Sequence, residues 1–214
     1  MQGVYEGYGG NFTTIDYKTP HWNMLANIEK NVYQFSAAKN WHQLRDLTSA
    51  LRDGDKIRSF SDFEKVARKV LDEYNGYMRP EYNTAVSGAL NAAKWVEFEK
   101  NKRSMPNLKY VTVGDTRVRL EHQLLDGIIR PKDDSFWGTH YPPLAWNCRC
   151  TALELPGNDE VTPADKIPYV EIPKMFQVNL AKENLVFPKG SPYFDGCPKS
   201  ALKEGTSLIP PKEK

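Results

Sequence analysis

Pro106-Asn-Leu-Lys-Tyr110-Val-Thr-Val113-Gly114-Asp115 is the stretch on which the fold turns. Pro106 closes the helical character of the chain before it, since proline lacks the N–H a helix needs. The residues that follow alternate and are β-branched or aromatic, so 108–113 reads as a strand turned by Gly114-Asp115. Upstream, apolar residues recur at helical spacing. Thr19-Pro20 offers an N-cap with proline at the first helical position. Leu25, Ile28, Val32 and Phe35 share one face, and Trp41, Leu44, Leu47 and Leu51 carry the pattern on to the turn signal Asp53-Gly54-Asp55. Ser61 and Glu64 stand in capping-box spacing at the head of a helix with Phe63, Val66, Val70 and Tyr74 on its apolar side. Asn75-Gly76 breaks that helix. A longer one is expected from Pro80 to about Lys102, and its Ala85, Gly88, Ala89, Ala92 and Ala93 would let another element approach closely. Downstream, 118–125 reads as a short helix ended by Asp126-Gly127, Ile128-Ile129 as a brief buried strand, and Cys148–Leu155 as an alternating strand.

The fold class is therefore α+β: a helical N-terminal half, a small irregular β-containing Cys/His module and a Pro-rich C-terminal arm. The expected division is a flexible arm at 1–18, a domain at 19–155 (helices 19–103, β/loop module 106–155) and an extended tail at 156–214. Nine of the fifteen prolines fall in that tail, whose end near 212–214 is expected to be disordered. Lys+Arg is 29 against Asp+Glu 27, a balance that argues against a protein gripping nucleic acid by bulk charge. No run of about 18 apolar residues occurs, so no membrane span is expected. The first residues are polar and Gly-rich, without the apolar core of a secretory signal. Three cysteines in 214 residues are not a disulfide framework, which points to a reducing, cytoplasmic setting.

His122, His140, Cys148 and Cys150 fall within 29 residues of one another. On a strand, both thiols would point to one face. Two thiolates with imidazoles are a donor set zinc prefers, and a closed site of that kind would be structural. The plainer reading stands beside it: small buried thiols, a His122 that caps a helix and a His140 on the surface. A Cys148–Cys150 disulfide would be strained, and Cys197 reads as a lone thiol. A second group, Asp115, Arg117, Arg119 and Asp126, reads either as an active site or as an ion-pair network that holds two turns together, with Arg117 on Asp115 or Asp126. The network is favoured, since no phosphate loop or Ser/His/Asp pattern occurs. A Cys–His nucleophile pair fits two closely spaced thiols less well than metal or structure does. Phe136-Trp137-Gly-Thr-His140-Tyr-Pro142-Pro143 reads as packing, with Trp137, Tyr141 and Trp146 as a satellite core above the cysteines.

Tyr110-Val-Thr-Val-Gly-Asp115-Thr-Arg117-Val-Arg119-Leu-Glu-His122, then Leu125-Asp126-Gly127, resembles the phage Mu F-like family of head morphogenesis (minor capsid) proteins. So do Asp134-Ser-Phe136-Trp137-Gly-Thr-His140-Tyr-Pro142-Pro143 and Trp146-Asn147-Cys148-Arg149-Cys150. The resemblance covers about residues 20–195. It implies a structural protein of a tailed phage or prophage, acting in procapsid assembly near the portal. Implied partners are portal, capsid or scaffold proteins of the phage head; no membrane or small-molecule substrate is implied. Lys94, Lys100, Lys102 and Arg103 near the end of the long helix read either as a contact with packaged DNA or, the favoured reading, as a solvated helix end supported by the helix dipole. The implied location is the inner capsid of the virion, and the host cytoplasm during assembly. Family members are often longer, so the chain is expected to be a short member or a fragment. The resemblance strengthens the zinc reading, and His122, Asp126, Cys148 and Cys150 match the family pattern, as do Asp115, Arg117, Gly127, Pro142, Pro143 and Asn147. The alternative is a phage-delivered effector enzyme, nuclease-like or transferase-like, using Arg117, His122 and Asp126 as acid, base and anion binder.

Overall fold

A computed structural model describes residues 20–210. The expected arm at 1–18, the Thr19 cap and the chain end at 212–214 lie outside the described residues. The architecture is α+β, with the long helices in the N-terminal half.

Helix α1 (Pro20–Ala50) is continuous over 31 residues. Both apolar runs belong to it, save Leu51 just past its end, because no glycine or proline interrupts 21–50. Only the first run is core: Leu25, Ile28, Val32 and Phe35 are buried, whereas Leu44 and Leu51 are exposed. Asp53-Gly54-Asp55 forms the turn of a minimal antiparallel hairpin, β1 (Arg52–Asp53) with β2 (Lys56–Ile57), in which Gly54 takes φ +56°. Helix α2 (Phe60–Gly76) is capped two residues earlier than the sequence spacing predicts. Ser59, extended at φ −60° and ψ 155°, accepts from the Asp62 amide at 3.2 Å, and Ser61 already lies inside the first turn. Tyr77 alone separates α2 from α3 (Met78–Lys100), and Pro80 sits in the first turn of α3, where its missing N–H costs nothing.

The sheet is β4–β3–β5: β3 (Asn107–Val111) pairs antiparallel with β4 (Ile129–Pro131) and β5 (Thr151–Leu155), with Lys109 opposite both Ile129 and Leu153. Between β3 and β4 lies the one-turn helix α4 (Leu120–Gln123), and between β4 and β5 the similar α5 (Phe136–Thr139). Strand β5 begins at Thr151, so Cys148–Cys150 precedes the strand rather than opening it. The reason is local. Asn147 is left-handed at φ +62°, the Cys148 amide donates to Ala145 O at 3.2 Å, and the Cys150 carbonyl is taken by Asn91 of α3.

The Pro-rich arm is extended, with single 3-10 turns at Ala164–Lys166, Lys174–Phe176 and Pro192–Phe194, and it is built into the core. Its Val170, Ile172, Phe176, Leu180, Val186 and Phe187 bury beside α1, α3 and the sheet. The small residues of α3 admit it: a Cβ on Gly88 would meet Val186 at 3.3 Å. Buried Asn31 of α1 satisfies the arm's backbone, its Oδ1 accepting from Val186 N (3.1 Å) and Phe187 N (2.8 Å) while its Nδ2 donates to Phe187 O (3.1 Å). Irregular chain can be buried only where its polar groups find such partners. Helix α6 (Lys199–Ser207) then packs on α1. Trp137 and Tyr141 are fully buried in this same core, and Trp146 packs against it. Among the described residues no helix is long and apolar enough to cross a membrane.

Candidate metal centre

Three donors converge where the helical layer meets the sheet. Helix α4 turns His122 inward, and the segment ahead of β5 supplies Cys148 and Cys150; all three are buried, at 4%, 2% and 3% exposure. His122 Nδ1 lies 3.7 Å from Cys148 Sγ and 3.5 Å from Cys150 Sγ, and the three donor atoms fall within 4.8 Å of one another. Zinc bonds of about 2.3 Å to sulfur and about 2.0 Å to nitrogen, held tetrahedrally, put sulfur and nitrogen about 3.5 Å apart. The cluster therefore fits a tetrahedral ion without rearrangement of the His122–cysteine distances. The hydrogen bond from Cys150 holds the Cys148 thiol well below its usual pKa, and the same bond with burial pushes the Cys150 thiol up. Such an acidified thiol beside imidazole is a ready soft ligand.

His140 does not join them. It follows α5, its ring stacks on Phe136 with centroids 4.4 Å apart, and its Nδ1 meets Thr139 Oγ1 at 2.8 Å. Burial lowers its pKa. Sequence proximity to the cysteines could not show that α5 turns this ring the other way.

The surrounding residues position the donors. Arg149 stands between the cysteines in sequence, but its side chain leaves the cluster for Asp115. There it grips both carboxylate oxygens of Asp115 at 2.7 Å. Arg117 binds the same carboxylate through its backbone N (3.0 Å), Nε (3.3 Å) and Nη2 (3.1 Å), and together these cations hold the Asp115 carboxyl far below the usual carboxylate range, Arg149 most. Asp126 is exposed, and its Oδ1 accepts from Thr112 N (2.7 Å) and Thr112 Oγ1 (3.0 Å). Gly127, at φ +84°, returns the chain to β3, where its amide donates to Tyr110 O at 2.9 Å. Arg119 donates to Trp146 O at 2.9 Å. Asn147 N donates to Thr84 Oγ1 (2.8 Å) and its Oδ1 accepts from Asn83 Nδ2 (2.7 Å), which ties the cysteine loop to α3. Pro142-Pro143 is a cis pair in the approach to that loop.

Two residues that the sequence did not single out complete this frame. Asn91 of α3, 2% exposed, donates to Cys150 O (3.2 Å) and accepts from Thr151 Oγ1 (2.9 Å), while its own carbonyl accepts from Tyr141 Oη at 2.8 Å. Tyr110 of β3 is fully buried against the same thiols. A polar side chain on the small-residue face of α3 was the only sequence signal for Asn91. Tyr110 carried none, because tyrosine is ordinary in a strand.

A helical layer closed on a three-stranded antiparallel sheet, with a buried two-thiol, one-imidazole cluster that could hold a metal ion in its least regular part, defines an α+β module. The chain belongs to the Phage Mu protein F like family, whose model matches residues 43–153, from within α1 to within β5. It is 41% identical over 74 residues to the "Putative capsid assembly protein F" of Escherichia phage Mu, covering 35% of this chain and 17% of that protein. It is 42% identical over 62 residues to the Mu-like prophage FluMu F protein of Haemophilus influenzae, covering 29% of this chain and 15% of that one. The matched stretch thus spans under a fifth of either relative. No solved structure matches the chain.

Proposed function

We propose that this chain is a minor capsid, head morphogenesis protein of a tailed phage or prophage. It acts structurally rather than as an enzyme, near the portal during procapsid assembly, through contacts with portal, capsid or scaffold proteins in the virion head. The family match and the name of the phage Mu relative support the head-assembly role. The observation that carries the structural reading is the His122–Cys148–Cys150 cluster: three buried donors at tetrahedral spacing in a loop-rich region. Zinc bound there would supply a cross-link between α4 and the cysteine loop, where little regular structure exists to hold either.

The effector-enzyme alternative finds less support. Arg117 and Asp126 are exposed and occupied with Asp115 and Thr112, and His122 is shut off from solvent. Contact with packaged DNA is likewise weakly supported, since Lys94 bonds Thr151, Lys100 pairs with Glu97 and Lys102 with Asp133.

The test is a prophage carrying a deletion of this gene, complemented by wild type, by a Cys148→Ser/Cys150→Ser variant and by Arg117→Ala, with filled heads counted and metal measured on the purified chain. The proposal expects head formation and about one zinc per chain to be lost together in the cysteine variant, with Arg117→Ala supporting heads. Normal heads from the deletion alone would refute the assembly role.

A further inference from the structure

The cluster offers three donors, and no further His, Cys, Asp or Glu joins them among the described residues. A closed structural zinc site has four. Tyr110 points its hydroxyl into the same space from the central strand β3. The side chain is 0% exposed, its oxygen lies against the Cys150 sulfur, and it meets no hydrogen-bond partner of good geometry. A buried hydroxyl left without a partner is costly, so native cores rarely keep one. Here the orphaned oxygen and the three-donor set are complementary, because each lacks what the other offers.

We propose that the Tyr110 phenolic oxygen is the fourth ligand of the metal centre, which makes the site His122, Cys148, Cys150 and Tyr110. The proposal rests on the metal reading above. Coordinated to the ion, the Tyr110 phenol would give up its proton to solvent and bind as phenolate, which removes the unpartnered buried O–H. Two thiolates, one phenolate and a neutral imidazole would give the centre the single negative charge of an ordinary three-cysteine, one-histidine zinc site. The arrangement also joins the centre of the sheet directly to α4 and the cysteine loop, so one ion would tie together three elements that are distant in sequence.

The experiment is titration of the metal-free 214-residue chain with cobalt(II), in wild type and Tyr110→Phe, with visible spectra and melting temperatures recorded before and after loading. Phenylalanine keeps the ring and removes only the oxygen. The unloaded variant is therefore expected to melt at or above the unloaded wild type. The loaded variant is expected to keep its thiolate-to-cobalt band, to shift the ligand-field bands that report the fourth donor, and to bind about tenfold or more weakly. Identical ligand-field spectra and affinities in the two proteins would overturn the assignment of Tyr110 while leaving the metal centre in place. A wild type that takes up neither cobalt nor zinc would overturn the metal reading itself, and this assignment with it.

Discussion

Asn91→Ala tests how strongly the helical half holds the cysteine segment. The wild-type side chain makes two cross-element bonds, to Cys150 O at 3.2 Å and from Thr151 Oγ1 at 2.9 Å. The Cys150 carbonyl would be left buried and unpaired, a cost of about 1–3 kcal/mol. Thr151 is half-buried and keeps Lys94, so its loss is smaller, about 0.5–1 kcal/mol. Together these come to about 1.5–4 kcal/mol. Asn91→Leu separates volume from hydrogen bonding, because it fills most of the space yet still leaves Cys150 O unpaired. Urea unfolding of both variants, with and without zinc, reads the effect as a lower midpoint at unchanged slope. Both should also bind zinc about 10–100-fold more weakly, since a ligand loses its support. A midpoint within error of wild type in Asn91→Ala would refute the reasoning. So would an Asn91→Leu variant as stable as wild type, since the cost would then be packing alone.

Removing metal should destabilise the chain as a whole. At free zinc about 100-fold above the dissociation constant, chelation forfeits ~2.7 kcal/mol, a fall in Tm of about 5–10 °C for a chain of this size, read by calorimetry with and without chelator. Acid should expose the Asp115 network. Its folded carboxyl lies below the ordinary 3.8 because Arg149 and then Arg117 stabilise the charged form. The stabilisation is therefore present above about pH 4 and is lost as pH falls below it. Asp115→Asn should lack that acid-dependent part of the loss, seen by following unfolding midpoints from pH 5 downward. Gly205→Ala should loosen α6 from α1. Its Cβ would sit 2.4 Å from Ala37 Cβ and 3.1 Å from Tyr33 O, so overpacking of about 1–3 kcal/mol outweighs the ~0.5–1 kcal/mol gained by alanine in a helix. Thermal melts of Gly205→Ala with and without Ala37→Gly would show a deficit that the second change partly relieves.

The helices were legible because a 3.6-residue period bounded by Asp53-Gly54-Asp55 and Asn75-Gly76 is a local property of the chain. Their exact starts were less so: capping-box spacing pointed to Ser61, whereas the extended backbone at Ser59 makes that residue the cap. The burial of 170–187 was not legible. No helical or strand period runs through it, with Pro173 inside and Pro168 and Pro188 at its flanks, and the partner that lets this irregular segment enter the core is Asn31, some 155 residues away. The cluster shows the same division. His122, Cys148 and Cys150 stand out as residue types, but that His140 turns onto Phe136 is a fact of packing. So is the placement of the Tyr110 hydroxyl beside Cys150.

The position of the cluster argues for its role. From Thr112 to Cys150 the chain has only two one-turn helices and a three-residue strand as regular structure. A one-turn helix is far too short to be stable by itself. What holds this region must therefore be tertiary, and each holding point is a side chain gripping backbone or charge: Asp126 on Thr112, Arg119 on Trp146 O, Arg149 on Asp115, Asn91 on Cys150 O. These bonds are scattered around the rim, and several are open to solvent. His122, Cys148 and Cys150 instead meet at the centre, buried, at a spacing that fits one ion. A catalytic centre would need a route for substrate to those atoms, whereas a cross-link needs their burial. The geometry meets the second requirement, which is why loss of the donors should be read first as loss of fold.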